Sequence, residues 1–389
     1  MPSATHRKIA PEMRLLICCA RTRISRELSG EVRVLLAETL DWDGLISAAE
    51  VHSLTPLLER NLRAVAPGLV PPAHLERLTA INRENAFHSL TLIAELVKIA
   101  GALEPRQIVS LPYKGPAAAV QAYGDVSLRN FEDVDLLVPQ RQIGEVNEIM
   151  LELGYEPSLA WLASPKASAS VIPGEYKYYR QDCDAIVEFH TERTLRHFPV
   201  APDLDDFAHC GVRVALSGRE ILTLRPEDAL VSLCVHGCKD FWARLIWVAD
   251  ISELMQAQAI DWDRAFGRAE SLRAQRMVRV GLLLAKGILE APIPHEIGAV
   301  ASGDRVARLL AQQIADQLLL EGSELLSTAA RFAFRRHSVP GALAGWRYAL
   351  RLTMAPAQDD VQMVQLPRAL QPFYMLLRPL RLLHKYREN

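Results

Sequence analysis

Ahead of Ile81 the apolar residues recur at helical spacing, as in Leu28, Val32, Leu35 and Leu36 and again in Leu45, Ala48, Ala49 and His52. The pattern predicts helices from about Ile9 to Ile81, with breaks at Pro67-Gly68 and Pro71-Pro72. Another helix is expected from about Glu84 to Ala102, with Phe87, Leu90, Ile93, Ala94, Val97 and Ile99 largely on one side and Gly101 and Pro105 ending it. The period then changes. Residues 107–111 form a short β-prone run, Pro116 to Ala122 reads as a helix opened by proline, and Val134 to Val138 reads as a strand closed by Pro139. Gln142 to Leu153 is expected to be helical, with Gly154 as its left-handed cap. Two strands follow, Tyr176 to Gln181 and Ala185 to His190, joined by a turn at Asp182-Cys183-Asp184. Val212–Leu216 and Ile221–Leu224 suit a last hairpin around Ser217-Gly218. Pro226-Glu227-Asp228 opens the next helix, since proline and acidic residues suit the positive end of a helix dipole. Beyond it, amphipathic helices alternate with proline breaks, and no internal repeat is found.

The predicted architecture is α+β: a small mixed-sheet core at 84–225 between an N-terminal helical region, 1–83, and a C-terminal helical region, 226–389. Composition narrows the class. With 389 residues, 50% hydrophobic and 23% charged, the chain has the balance of a soluble globular protein, which excludes disorder, collagen and coiled coil. Its formal net charge of -2 gives no global basic field, so nucleic acid enters only as a local substrate. The apolar stretch Leu15–Ala20 is too short for a signal-peptide core, and no later window reads as a membrane span, so a cytoplasmic location is expected. Six cysteines are too sparse for a disulfide scaffold and fit reduced thiols, mostly buried as small hydrophobes.

Chemistry is concentrated between Leu111 and His190. Asp133 and Asp135 stand two apart at the start of a strand, so their carboxylates leave the same face and converge. Two acids held that close repel, and a cation makes the arrangement favourable; oxygen ligands suit Mg²⁺ or Mn²⁺. Glu188, within the strand Ala185 to His190, reaches the same metals if the strands are neighbours. Asp184 is the alternative third acid, from the adjoining turn. Three carboxylates on adjacent strands can hold two metals for phosphoryl or nucleotidyl transfer. Lys114-Gly115-Pro116 joins a strand to a helix, presenting backbone amides to an anion, with Lys114 and Arg129 adding positive charge.

These residues resemble the nucleotidyltransferase superfamily that includes DNA polymerase beta, specifically its bacterial branch of uncharacterised nucleotidyltransferases. The resemblance is carried by Lys114-Gly115-Pro116, Tyr123-Gly124-Asp125, Leu128-Arg129, Asp133-Val134-Asp135, Glu188-Phe189-His190, the run from Pro226 to His236, Arg244 to Asp250 and Tyr374 to Leu383. It implies a polymerase beta-like core, an NTP substrate, Mg²⁺-dependent transfer of a nucleoside monophosphate to an acceptor hydroxyl, and release of pyrophosphate. It also implies Asp133 and Asp135 as paired metal ligands, Glu188 as the third acid and Gly115 as the phosphate-loop glycine. Two features depart from the wider superfamily. Gly115-Pro116 replaces Gly-Ser, which removes a hydroxyl from the triphosphate loop, and the interval from Gly115 to Asp133 is longer than in most members. The departure at Pro116 keeps a nucleotide-binding protein without transfer as an alternative, alongside a toxin-like transferase acting on tRNA or protein. The acceptor, whether small molecule, peptide, protein or RNA, is not legible.

Other residues carry weaker signals. Cys234 and Cys238 share a helix face while His236 points elsewhere, so core packing is expected there instead of zinc. His236 and Arg244 are candidates to line the nucleotide pocket, Lys177 to neutralise triphosphate charge, and His190 to support Glu188 from the same strand face. The basic, apolar tail from Arg368 to Arg387 suits a docked segment with an exposed basic face, or contact with an anionic membrane surface or a partner.

Overall fold

The computed structural model describes residues 9–159, 175–192, 197–319, 327–354 and 373. The tail from Arg368 to Arg387 lies outside the described residues, apart from Phe373. Four helices open the chain: α1 (Pro11–Cys19), α2 (Arg26–Leu36), α3 (Trp42–Val51) and α4 (Thr55–Val65). Ser25 and Asp41 cap α2 and α3 by accepting backbone N–H groups that the first turn leaves unpaired. Next comes α5 (Pro72–Leu103), followed by β1 (Leu111–Pro112), the short α6 (Gly115–Ala118), β2 (Val134–Leu137), α7 (Ile143–Glu152), β3 (Glu156–Pro157), β4 (Glu175–Arg180), β5 (Ala185–His190) and α8 (Leu204–His209). A hairpin of β6 (Val212–Leu216) and β7 (Arg219–Thr223) leads into α9 (Pro226–Lys239), α10 (Leu245–Ala257), α11 (Trp262–Ser271) and α12 (Gln275–Leu289). Last are α13 (His295–Gly303), α14 (Arg305–Leu319), α15 (Thr328–Ser338) and α16 (Ala342–Met354).

The fold is α+β, with a small mixed sheet in the order β1-β2-β5-β4-β3. Among the described residues only β2 and β5 run parallel; the other pairs are antiparallel. Side chains alternate across this sheet. Val134 and Leu136 of β2, Val187 and Phe189 of β5, and Tyr176 and Tyr178 of β4 are buried in one cluster with Ile93, Leu96 and Ile99 of α5 and with Val146 and Ile149 of α7. The opposite face carries Asp135, Glu188 and His190. A second cluster joins both ends of the chain, with Leu15, Leu57 and Leu62 packed among Leu230, Val235, Ile251 and Met277.

Several elements differ from the pattern read along the chain. The helix expected from Glu84 begins at Pro72, because proline at its first position supplies a helical φ and loses no hydrogen bond. Its ends are anchored differently: Leu78 is buried towards α4 and Leu92 to Leu103 towards the sheet. Phe87 and Leu90, expected on the buried side, lie between those anchors and are exposed. By length and composition alone, this helix is the one stretch among the described residues able to cross a membrane. The β-run expected at 107–111 shrinks to Leu111–Pro112, since Gln107 takes a left-handed φ of 55° and holds the chain away from β2. The helix expected at Pro116 to Ala122 is one α-turn followed by a π-helical turn, Ala119–Tyr123, closed by left-handed Gly124. The last hairpin turns on Ser217 and Gly218, both at positive φ as a two-residue turn of this hand requires.

Candidate functional site

The parallel register of β2 and β5 sets Asp135 beside Glu188, and His190 follows two residues on from Glu188, so all three project from one face. Ligand atoms of Asp135, Glu188 and His190 lie within 4.8 Å of one another, and all three side chains are largely buried. His190 Nε2 is 2.6 Å from Asp135 Oδ1 and 3.6 Å from Glu188 Oε2. The edge of the His190 ring meets Tyr113, with centroids 5.6 Å apart, which fixes its orientation. Two ammonium groups attend the carboxylates: Lys114 Nζ is 3.5 Å from Asp135, and Lys177 Nζ of β4 is 2.6 Å from Glu188 Oε1.

Asp133 sits just ahead of β2, half-buried. Burial, together with the charges of Asp135 and Glu188, pushes its carboxyl up to about 7. Asp135 moves the other way: burial opposes its ionisation, but Lys114 and the His190 hydrogen bond hold it far below the usual carboxylate range. Burial also disfavours the charge on Lys114, yet Asp135, Tyr113 and Asp133 keep its ammonium well above its ordinary value. Three carboxyl groups thus share a poorly hydrated place with two ammonium groups. The donor set, two carboxylates and an imidazole with a third carboxylate alongside, fits a divalent cation.

Gly115 forms the turn beneath this cluster at φ +51°, and a Cβ placed there would lie 3.2 Å from the Asp133 carbonyl oxygen. Glycine is therefore required twice, by conformation and by space. Gly115→Ala is expected to cost about 1–2 kcal/mol, measured by denaturant unfolding; an unchanged midpoint would contradict the tight turn.

A cleft of about 260 Å³ opens over these groups, walled by Lys114, Gly115, Asp133, His236, Arg244 and Trp247 among others. His236 stacks edge-on against Trp247 at 5.0 Å, and burial, then Lys114 and Lys239, hold it well below its ordinary value. It faces the cleft as a neutral ring. Arg244 stands at the rim, 3.4 Å from Glu132 and 3.3 Å from the Ser53 hydroxyl. Arg129 lines the same cleft, but its guanidinium is committed elsewhere. Its Nε and Nη2 donate to Asp250 Oδ1 and Oδ2 of α10, both at 2.8 Å, and the Tyr123 hydroxyl donates to the same Oδ1 at 2.9 Å.

The structure brings Asp133, Asp135, Glu188, Lys114, Gly115, Lys177, His236 and Arg244 to one cleft. Asp184 is left out: it is an exposed turn residue at φ 52°, four positions before Glu188 along the strand. Cys234 and Cys238 are buried in the helical core. Several wall residues escape sequence reasoning, Trp247, Ser53 and Glu175 among them. Ser53, beyond α3, is itself left-handed at φ 57° with no local signature, and β4 begins at Glu175, one residue ahead of the expected Tyr176.

The N-terminal helices are tied in by His52, whose Nδ1 accepts the Leu245 N–H at 3.2 Å. Burial and Arg244 lower the His52 pKa, so the unfolded chain takes up this proton first. Its contribution is complete above about pH 6.5 and is lost as pH falls below that value. His52→Asn keeps an acceptor and removes the titration. Relative to the variant, wild-type protein should lose stability between pH 7.5 and pH 5.5, read from denaturant midpoints; parallel pH curves would contradict it.

Comparison with known proteins places this geometry in context. A family model described as uncharacterised nucleotidyltransferase matches residues 38–290, a span that includes the whole cleft. No curated protein matches the chain. Among solved structures, the crystal structure of an antigenic nucleotidyltransferase-like protein from Paracoccidioides brasiliensis is similar at 16% identity and a TM-score of 0.36, covering 56% of this chain and 97% of that one.

Proposed function

Because the chain belongs to the uncharacterised nucleotidyltransferase family, we propose that its cleft transfers a nucleoside monophosphate from an NTP to an acceptor hydroxyl. In that reaction the acceptor oxygen bonds the α-phosphorus, the bond from that phosphorus to the β-phosphate bridge breaks, and pyrophosphate leaves. One observation carries the reading: Asp135, Glu188 and His190 converge within 4.8 Å beside Asp133 and above the Lys114-Gly115 turn. A divalent ion held there would neutralise phosphate charge and lower the pKa of the acceptor hydroxyl.

The residues divide the work. Asp135, Glu188 and His190, with Asp133 alongside, would hold the cation, and Glu188 would help to activate the acceptor. Lys114 and the backbone at Gly115 receive the triphosphate, Lys177 and Arg244 add positive charge at the cleft walls, and neutral His236 with Trp247 borders the base or the acceptor. Arg129, engaged by Asp250, positions the loop that leads into Asp133 instead of closing on phosphate. Catalysis is then chiefly positioning and charge neutralisation.

His190 adds a nitrogen donor to an oxygen set, which favours Mn²⁺ over Mg²⁺. His190→Gln should weaken Mn²⁺ binding about tenfold more than Mg²⁺ binding, measured by electron paramagnetic resonance and calorimetry. Equal losses for both ions would remove His190 from the ligand set.

A second reading is favoured by the two lysines that pair with Glu188 and Asp135: ammonium groups standing in for metal charge would suit a protein that binds nucleotide without transfer. The test is pyrophosphate release from each NTP with Mg²⁺ or Mn²⁺, with and without cell extract as acceptor source. Metal-dependent release that needs extract supports transfer; saturable NTP binding without release supports the second reading.

A further inference from the structure

The largest contrast with the acidic cleft is another cavity, of about 460 Å³, that shares no lining residue with it. It opens where the π-helical turn Ala119–Tyr123 meets the end of α10, with Thr22, Arg23 and Arg60 of the N-terminal helical region on the other wall. The extra residue of a π-turn widens a helix and commonly marks a functional site. The volume lies within the range of small-molecule pockets.

Its charges are arranged with two poles. Glu253, 1% exposed, accepts the Thr22 hydroxyl at Oε2, while its Oε1 has no hydrogen-bond partner among the described residues. A buried carboxylate oxygen without a donor is costly, and a ligand N–H would satisfy it. Burial accordingly raises the Glu253 pKa against the opposing influence of Thr22, Arg21 and Arg23. Arg23 and Arg60 are exposed on the same cavity and make no hydrogen bond or ion pair among the described residues, which leaves two guanidinium forks open to a carboxylate. One further carboxylate, Asp125, lines the cavity, its Oδ1 taken up by the Ser127 N–H and hydroxyl, and the rest of the wall is neutral, with Gln256 and Gln258.

We propose that this cavity binds a small zwitterion of the amino-acid class, its ammonium group on Glu253 Oε1 and its carboxylate on Arg23 and Arg60. The site is separate from the nucleotide cleft and does not depend on the reaction proposed there.

The test uses the full chain and the common amino acids, one at a time, by thermal shift and then calorimetry. At least one amino acid should raise the melting temperature. Glu253→Gln keeps the acceptor for Thr22 but replaces the unpartnered oxygen with an amide, and Arg60→Gln changes only a surface side chain. Each substitution should weaken binding at least about tenfold, and so should removing either charge from the ligand, as its decarboxylated amine or its N-acetyl derivative. Asp135→Asn should leave this binding intact, which separates the cavity from the nucleotide cleft. The proposal fails if no amino acid binds, if binding survives both cavity substitutions, if the amine or the N-acetyl acid binds as well as the zwitterion, or if Asp135→Asn abolishes binding.

Discussion

Asp135→Asn should lower metal-dependent pyrophosphate release at least about a thousandfold while the chain stays folded. Asp135 is the centre of the cluster: it stands in register beside Glu188, 2.6 Å from His190 and 3.5 Å from Lys114. An amide keeps its shape, so β2 retains its place in the sheet. The change removes the negative charge that attracts the cation and leaves an N–H₂ group pointed at Lys114 or His190. Because Asp135 and Glu188 both help to push Asp133 up to about 7, the variant also eases repulsion at Asp133. Circular dichroism should therefore be native-like, and the loss should appear in turnover and in Mn²⁺ affinity together. Turnover within tenfold of wild type would remove the acidic cluster from the reaction.

Asp250→Ala should cost about 3–5 kcal/mol, because it strands the buried guanidinium of Arg129. Asp250 is fully buried and accepts from Nε and Nη2 of Arg129 and from the Tyr123 hydroxyl, so one carboxylate joins α10, the π-helical turn and the loop ahead of Asp133. For a domain of ordinary stability this is a large fraction of the total. The cost is mainly that of leaving a charge unpaired. A double replacement, Arg129→Met with Asp250→Leu, should therefore recover most of it. Urea unfolding of the two single variants and the double variant checks this. Single-variant losses that simply add in the double variant would contradict the pairing.

Period-2 alternation made the functional face readable in advance. In Val134-Asp135-Leu136 and in Val187-Glu188-Phe189-His190 the apolar residues alternate with the chemistry-bearing ones, so both strands announced a buried face and an acidic face. Their order along the chain, with the Lys114-Gly115 turn upstream, carried the family resemblance that the match over residues 38–290 bears out. What the chain hides is long-range or conformational. The partner of Arg129 lies 121 residues away, and nothing local signals that its charge is already spent. The π-turn at Ala119–Tyr123 has no sequence signature distinct from an α-helix, yet it shapes the second cavity. Gln107 and Ser53 take left-handed conformations that glycine would have advertised. His190 was legible as a neighbour of Glu188 by alternation, but its closeness to Asp135 depends on the parallel pairing of β2 with β5, which only the assembled sheet shows.

The most direct measurement follows the phosphorus atoms. The purified chain is incubated with Mn²⁺, cell extract and an NTP labelled either at the α- or at the γ-phosphate. The account predicts that the α-label becomes attached to an acceptor, that the γ-label is recovered in pyrophosphate, and that both signals vanish in Asp135→Asn. Transfer of the γ-label to an acceptor, its release as inorganic phosphate, or α-label transfer that survives Asp135→Asn would contradict nucleotidyl transfer at this cleft.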